Sequence, residues 1–208
     1  MLIKANQLVL FQGDSITDCG RLREQPGDLG RGYAMIAAAR LAAGHPELRV
    51  RFLNRGISGN RAIDLVERWK ADCIDLKPDW VSILIGINDA WRWMDSGEKT
   101  PVERFEASYR RILEATRKEL GARLVICEPF LLPVPKDLVR WREDLDPKIQ
   151  VCRKLAREFG AVYVPFDGLF AAATSRREAE FWASDGVHPS EAGHALMAQA
   201  WLEEVGAG

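Results

Sequence analysis

The apolar residues of the chain form short runs that alternate with longer segments of helical spacing. The short runs are rich in aliphatic and aromatic residues, which is typical of strands buried on both faces of a sheet. They cover Leu8–Gln12, Val50–Leu53, Trp80–Ile85, Arg123–Cys127 and Val162–Phe166. We therefore predict five strands.

Between these runs, apolar residues recur every three to four positions, as on one face of an amphipathic helix. The four clearest sets are Leu65, Val66, Trp69 and Cys73; Phe105, Tyr109, Ile112, Leu113 and Thr116; Ile149, Cys152, Leu155 and Phe159; and Leu196, Ala200 and Trp201. Repeated strand–helix alternation predicts a parallel sheet, wound right-handed, with helices on both faces. With no internal repeat or linker, residues 1–208 are predicted to form one α/β domain, and Pro129–Pro135 a surface loop.

Charge and cysteine usage narrow the possible partners. The 29 basic and 30 acidic residues give a net charge of -1, which argues against a nucleic-acid or anionic-membrane partner. The N-terminal residues lack a signal-peptide pattern, and no apolar run approaches the ~20 residues of a membrane span. The four cysteines, Cys19, Cys73, Cys127 and Cys152, share no metal-ligand spacing. We expect reduced thiols and a cytoplasmic location.

A serine-containing motif follows the first predicted strand, at the sheet edge where parallel α/β proteins bind ligands. The motif is G-D-S-I-T-D, from Gly13 to Asp18. Its small residues predict a turn that exposes the Ser15 hydroxyl and directs the Ser15 N–H outward, where it can bind an anion. Taken alone, the motif is equally compatible with Asp14 or Ser15 acting only as a helix cap.

Two further motifs follow the second and third predicted strands and contain groups that can bind an oxyanion. N-R-G-I-S-G-N, from Asn54 to Asn60, has two glycines that permit a tight turn with uncovered backbone N–H groups. Ser58 in this motif departs from the G-x-S-x-G pattern of a nucleophile elbow. G-I-N-D, from Gly86 to Asp89, places an amide at Asn88, a neutral donor. Each motif alone could be an ordinary turn or cap.

The fourth motif, S-D-G-V-H-P, lies near the C-terminus at Ser184–Pro189. Asp185 and His188 are three residues apart, so the carboxylate can reach the imidazole Nδ1. That contact holds the tautomer whose Nε2 accepts a proton from serine. The other histidines are His45 and His194, so the candidates for a general base are few.

Together the four motifs resemble those of the SGNH hydrolases, also called the GDSL esterase/lipase family. The resemblance spans Gly13 to Pro189, with Ile16 where the family commonly has Leu. It implies a three-layer α/β/α sandwich with a flavodoxin-like, five-stranded parallel sheet, which agrees with the pattern of predicted elements.

The resemblance also implies a role for each motif. Ser15 would be the nucleophile, His188 the general base and Asp185 the residue that orients the base. The oxyanion hole would consist of the N–H groups of Ser15 and Gly59 and the amide of Asn88. No metal and no cofactor are implied.

Longer strings look like those of bacterial intracellular carbohydrate acetylesterases, a branch that includes acetylxylan esterases. They are G-I-N-D-A-W-R-W (86–93), E-P-F-L-L-P (128–133) and F-W-A-S-D-G-V-H-P (181–189). This resemblance implies hydrolysis of short acyl esters, with acetylated xylo-oligosaccharides as small-molecule substrates. Such enzymes commonly associate, so a homo-oligomer is expected, with the segment 129–141 as a candidate interface.

Four residues beside these motifs are candidates for contact with the substrate. They are Asp14, Trp91, Trp93 and Trp182. Indole faces suit the C–H faces of sugar rings, although a tryptophan beside a motif equally often packs against a loop. Asp14 is expected to brace the Ser15 turn rather than to react.

Three other functions remain open. The first is a short-chain esterase or lysophospholipase-type thioesterase of the same fold. The second is a metal-dependent phosphoesterase, although that class needs an early Asp-x-His and more than the three histidines present here. The third is a non-catalytic sugar-binding protein.

Overall fold

The computed structural model of the protein describes residues 1–134 and 140–208 and contains a five-stranded parallel sheet. The strands are β1 (Leu8–Gly13), β2 (Arg51–Asn54), β3 (Trp80–Leu84), β4 (Arg123–Cys127) and β5 (Val162–Val164). Their order is β2-β1-β3-β4-β5, the flavodoxin-like order. The five predicted strands are confirmed, and the last is shorter than predicted because Pro165 cannot donate a ladder hydrogen bond.

Helices cover both faces of the sheet. They are α1 (Ser15–Asp18), α2 (Tyr33–Gly44), α3 (Ala62–Asp72), α4 (Ile87–Ser96), α5 (Val102–Leu120), α6 (Arg142–Phe159), α7 (Phe166–Thr174), α8 (Ala179–Trp182) and α9 (Glu191–Glu204). Apolar residues of α2, α7 and α9 pack on one face, and those of α3, α5 and α6 mainly on the other. Along β1, Val9 and Phe11 join the first core and Leu10 the second. This alternation explains why the strands read as uninterrupted apolar runs.

Three of the seven tryptophans are core residues whose indole N–H groups have internal partners. Trp69 donates to Thr116 Oγ1, Trp80 to Gln7 Oε1 and Trp201 to Ser82 Oγ, each at 3.0 Å. A buried indole without an acceptor would be destabilising, so these pairs fix where each ring can sit.

The segment after β4 differs from the prediction of a surface loop. Phe130, Leu131, Leu132 and Val134 are all at most 7% exposed, so the prediction is wrong for most of this segment. Burial is possible because backbone groups find partners: the Leu132 N–H donates to Gly186 O at 2.9 Å. Pro135, the last residue of the predicted loop, lies outside the described residues.

The strand order reverses between β1 and β3, and this position defines the site. Chains leaving these two strands diverge to opposite faces of the sheet, which opens a crevice at their carboxyl ends. Helices α1 and α4 begin there, bringing the Ser15 and Asn88 motifs to the same edge. In the described ranges, no helix is long and apolar enough to cross a bilayer.

Candidate active site

Ser15 is the first residue of α1, directly beyond the end of β1. The turn is held by Asp14, whose Oδ1 accepts the Ile16 N–H at 3.0 Å. Beyond it, the Ser15 hydroxyl lies 2.9 Å from Nε2 of His188. From the sequence, helix capping and catalysis were alternative roles for this motif. The structure shows both arrangements: Asp14 caps α1, and the Ser15 hydroxyl lies beside His188 Nε2.

Asp185 completes a hydrogen-bonded chain with His188 and Ser15. Its Oδ2 lies 2.6 Å from His188 Nδ1, and its Oδ1 accepts the N–H groups of Val187 and His188 at 2.9 and 2.7 Å. Partial burial acts to raise the pKa of Asp185, but the hydrogen bonds from His188 and Val187 outweigh it and lower the pKa below its usual range. The ionised carboxylate favours a proton on His188 Nδ1 and leaves Nε2 to accept from Ser15. The side chains of Asp185 and His188 are both 46% exposed, so a ligand can reach these hydrogen-bonded residues.

The glycine motif contacts the end of β1, where the Ile57 N–H donates to Gly13 O at 3.1 Å, and it also meets the asparagine motif. Gly59 has φ +82°, a left-handed conformation that favours glycine. The Asn88 amide donates to the Asn60 carbonyl at 3.1 Å, which joins the third motif to the second. The amide carries two N–H groups, so this bond leaves one for another acceptor.

Asp18 ties the glycine loop to the helix that carries Ser15. Its Oδ2 accepts both the N–H and the hydroxyl of Ser58 at 3.1 Å, so this second serine has a structural partner. A Cβ on Gly56 would lie 2.4 Å from Asp18 N, which explains the glycine at that position. The close approach holds the glycine loop against the last residues of α1.

Asp14 does not lie on the surface that a substrate would meet. Its side chain is fully buried, and burial raises its pKa to about 7. The expectation that Asp14 contacts substrate is therefore wrong, because its carboxyl is fully buried. Its hydrogen bond to Ile16 agrees with the bracing role.

The three candidate tryptophans differ in their contacts. The Trp91 ring lies 6.0 Å from the His188 ring, between centroids. Trp93 instead packs under Lys99, whose Nζ is 4.3 Å from its ring centroid. Trp182 donates its indole N–H to Arg177 O at 3.3 Å, and its own carbonyl accepts the Ser190 N–H at 2.8 Å. Trp182 thereby braces the segment that carries Asp185 and His188.

Trp141 is a neighbour of the site that the sequence motifs did not indicate. Its ring packs edge-on against Trp91 with centroids 5.1 Å apart. It lies far along the chain from the four motifs, just before α6, so no local pattern connects it with them. Only the fold brings the two indoles together.

His194 lies close to α1 but in a different environment from His188. Its Nδ1 accepts the Tyr33 N–H at 3.1 Å and its Nε2 lies 3.4 Å from Cys19 Sγ. The residue is 6% exposed, and burial lowers its pKa to about 4. Its ring is therefore neutral near pH 7 and holds backbone and thiol groups in place.

Side chains that could bind a metal ion are not clustered in the part of the chain that the structure describes. Within the ranges 1–134 and 140–208, no group of three or more His, Cys, Asp or Glu side chains is arranged to hold a metal ion. Cys19, Cys73, Cys127 and Cys152 are all free thiols.

Comparison with known proteins gives consistent matches over nearly the whole chain. Residues 11–196 match the GDSL-like Lipase/Acylhydrolase family. The chain is 38% identical to an acetylxylan esterase of Geobacillus stearothermophilus, over 99% of this chain and 97% of the relative.

Two crystal structures have the same fold. One, from Parabacteroides merdae and described as a GDSL-like lipase, gives a TM-score of 0.94 at 40% identity, covering 99% of this chain and 98% of that one. Axe2, an acetylxylan esterase from Geobacillus stearothermophilus, gives 0.91 at 37% identity, covering 99% and 97%. The resemblance read from the four motifs is confirmed: the chain belongs to the GDSL-like lipase/acylhydrolase family and is a carboxylic ester hydrolase.

Proposed function

We propose that the protein is a serine esterase that removes O-acetyl groups from xylo-oligosaccharides or related sugars. The observation that carries the proposal is the hydrogen-bonded chain from Ser15 Oγ through His188 to Asp185. The choice of substrate is supported by the similarity to acetylxylan esterases over 99% of the chain.

In the first half-reaction, Ser15 Oγ attacks the acetyl carbonyl carbon. His188 Nε2, 2.9 Å away, takes the hydroxyl proton as the new C–O bond forms. Asp185 stabilises the imidazolium and keeps the ring oriented through its bond to Nδ1. The carbonyl oxygen becomes an oxyanion in the tetrahedral intermediate.

The oxyanion is bound by the N–H groups of Ser15 and Gly59 and by the Asn88 amide. All three are neutral donors fixed by the fold, so little reorganisation is needed as charge develops. Collapse of the intermediate breaks the bond to the sugar oxygen, which takes the proton from His188. Water, activated by the same imidazole, then hydrolyses acetyl-Ser15 and releases acetate.

The sugar would bind against Trp91 and Trp141. Trp91 lies beside His188, and its contact with Trp141 extends the aromatic surface away from the triad. Both rings are only half-buried, and an indole face matches the C–H face of a pyranose. Trp93 and Trp182 stay in the proposal as outer contacts, because both are also partly exposed.

The proposal extends to location and association. Four free thiols fit a reducing, cytoplasmic compartment, and the substrates would then be small imported oligosaccharides. Neither nucleic acid nor membrane is proposed as a partner, since the charge is near balance at -1. Self-association is also proposed, and sedimentation velocity over a concentration series tests it.

Acetate release from acetylated xylo-oligosaccharides and hydrolysis of p-nitrophenyl acetate test the function together. Ser15→Ala should lower both rates by about 10⁶-fold, leaving the residual ~10³–10⁴-fold acceleration over the uncatalysed reaction that binding and the oxyanion hole provide. Undiminished rates would refute the nucleophile assignment. Faster hydrolysis of longer acyl esters than of acetylated sugars would instead indicate a lysophospholipase-type thioesterase.

Trp91→Ala tests binding of the sugar separately from hydrolysis of the ester. The variant should raise KM for the acetylated oligosaccharide about fivefold, the loss of one aromatic contact of roughly 1 kcal/mol, and leave p-nitrophenyl acetate hydrolysis nearly unchanged. Trp93→Ala gives the comparison: as an outer contact whose ring also packs with Lys99, it should raise KM less than Trp91→Ala does. Equal changes for both substrates would contradict a sugar-binding role for Trp91.

A further inference from the structure

Asp89, the last residue of the third motif, is a buried carboxyl that the proposed chemistry does not use. Its exposed fraction is 0%. Its Oδ2 accepts the Ala62 N–H at 3.0 Å, while its Oδ1 has no partner among the described atoms. Burying a carboxyl that makes only one hydrogen bond lowers the stability of the fold. Stability alone therefore does not explain why Asp89 occupies this position.

The Ala62 N–H belongs to the first residue of α3, where helix geometry provides no acceptor. Ala62 follows Gly59 by three residues in the same loop. Asn88, the neighbour of Asp89 on α4, donates to Asn60 O at 3.1 Å. Two consecutive α4 side chains thus bind the loop on either side of Arg61.

From this two-point attachment we infer that Asp89 is a positioning residue for the oxyanion hole, fixing the backbone of residues 59–62 against α4. It thereby sets the separation between the Gly59 N–H and the Asn88 amide. The inference rests on the oxyanion roles proposed for those two groups. Misplacing a catalytic group by ~1 Å can lower a rate by ~10²-fold, so a buried tether at this position has a large effect on catalysis.

Asp64 provides a matched control at the same end of α3. Its Oδ2 accepts the Arg61 N–H at 2.7 Å, so it also satisfies a backbone donor of this turn. Asp64 belongs to α3 itself, so its loss weakens the helix end but leaves both bonds to α4 intact.

The test compares kcat and KM for p-nitrophenyl acetate in three variants. Asp89→Ala should lower kcat about 10–100-fold with KM within about threefold, because only transition-state binding is impaired. Asp89→Asn keeps a carbonyl acceptor for the Ala62 N–H and should restore kcat to within about tenfold of wild type. Asp64→Ala should stay within about twofold of wild type. Equal losses in Asp64→Ala and Asp89→Ala would overturn the inference.

Asp89→Leu removes the same acceptor while filling the buried space with an apolar side chain of similar size, and it keeps the test decisive if Asp89→Ala fails to fold. This variant should show the same loss of kcat.

Asn88→Ala distinguishes a failure of the proposed oxyanion hole from a failure of the positioning role of Asp89. If Asn88→Ala retains kcat, the proposed oxyanion hole is wrong. If Asn88→Ala loses kcat while Asp89→Ala or Asp89→Leu retains it, only the positioning role fails.

Discussion

His188 and His194 lie six residues apart in sequence and both contact the segment around α1, yet their surroundings are opposite. His188 is half exposed and is bonded to a carboxylate on one side and to Ser15 on the other. His194 is buried and is bonded to a backbone N–H and to the Cys19 thiol. Of the two rings, only His188 is hydrogen-bonded to a carboxylate at Nδ1 and has its Nε2 beside the Ser15 hydroxyl.

His188 and His194 also show two ways in which the surroundings determine the role of an imidazole ring: burial and a neighbouring carboxylate. Burial lowers the pKa of His194 to about 4 and keeps its ring neutral. Asp185 instead orients the His188 ring through Nδ1 while leaving the ring accessible. One histidine therefore supports the structure and the other is suited to proton transfer.

The same substitution at both positions gives the largest contrast. His188→Asn should lower kcat for p-nitrophenyl acetate by about 10⁶-fold, because the proton acceptor of Ser15 is lost. His194→Asn keeps an acceptor for the Tyr33 N–H and should retain kcat within about tenfold while unfolding at a lower temperature. Steady-state kinetics and thermal melts measure the two effects. A greater loss of kcat at His194 would reverse the assignment of the base.

The pH dependence of stability provides a second, smaller contrast. Because the folded pKa of His194 is about 4 and the unfolded value is near 6.5, the unfolded state binds the extra proton between these values. The stabilisation is complete above pH 6.5 and is lost as the pH falls towards 4. Urea unfolding of wild type should lose on the order of 2 kcal/mol more than His194→Asn between pH 7 and pH 4.5. Parallel losses in the two proteins would contradict the neutral buried ring.

Asp14 gives the smallest expected effect on rate. Its pKa of about 7 lies above the unfolded value, so its contribution to stability is complete below the unfolded pKa and decreases as the pH rises to about 7. Asp14→Asn should therefore become more stable relative to wild type between pH 4 and pH 7, with kcat within about tenfold of wild type. Denaturant unfolding at several pH values and kcat at pH 8 measure both. A loss of kcat as large as in His188→Asn would give Asp14 a direct chemical role.

The sheet and the catalytic motifs were predictable because their signals are local. Buried parallel strands give continuous apolar runs, and Asp185 lies close enough in sequence to His188 for their contact to be inferred from spacing. The triad distances agree with the roles that the family resemblance implied. The single domain of residues 1–208 stays a prediction.

Other features depend on contacts between distant segments. Trp141 meets Trp91 only in the folded protein. Leu131 and Leu132 lie in a proline-rich stretch that predicts exposure, but the Gly186 carbonyl and the Arg142 side chain satisfy their backbone. The burial of Asp14 and Asp89 likewise has no signature in the sequence, because carboxyls are usually exposed.

The Ser15–His188 hydrogen bond joins residues 173 positions apart, and this separation has a consequence for biosynthesis. The five strands of the sheet end by Val164, so the sheet can assemble before the segment with Asp185 and His188 leaves the ribosome. Until that segment docks, the Ser15–His188 hydrogen bond cannot form, so the proposed catalytic triad is complete only when the C-terminal part of the chain is in place.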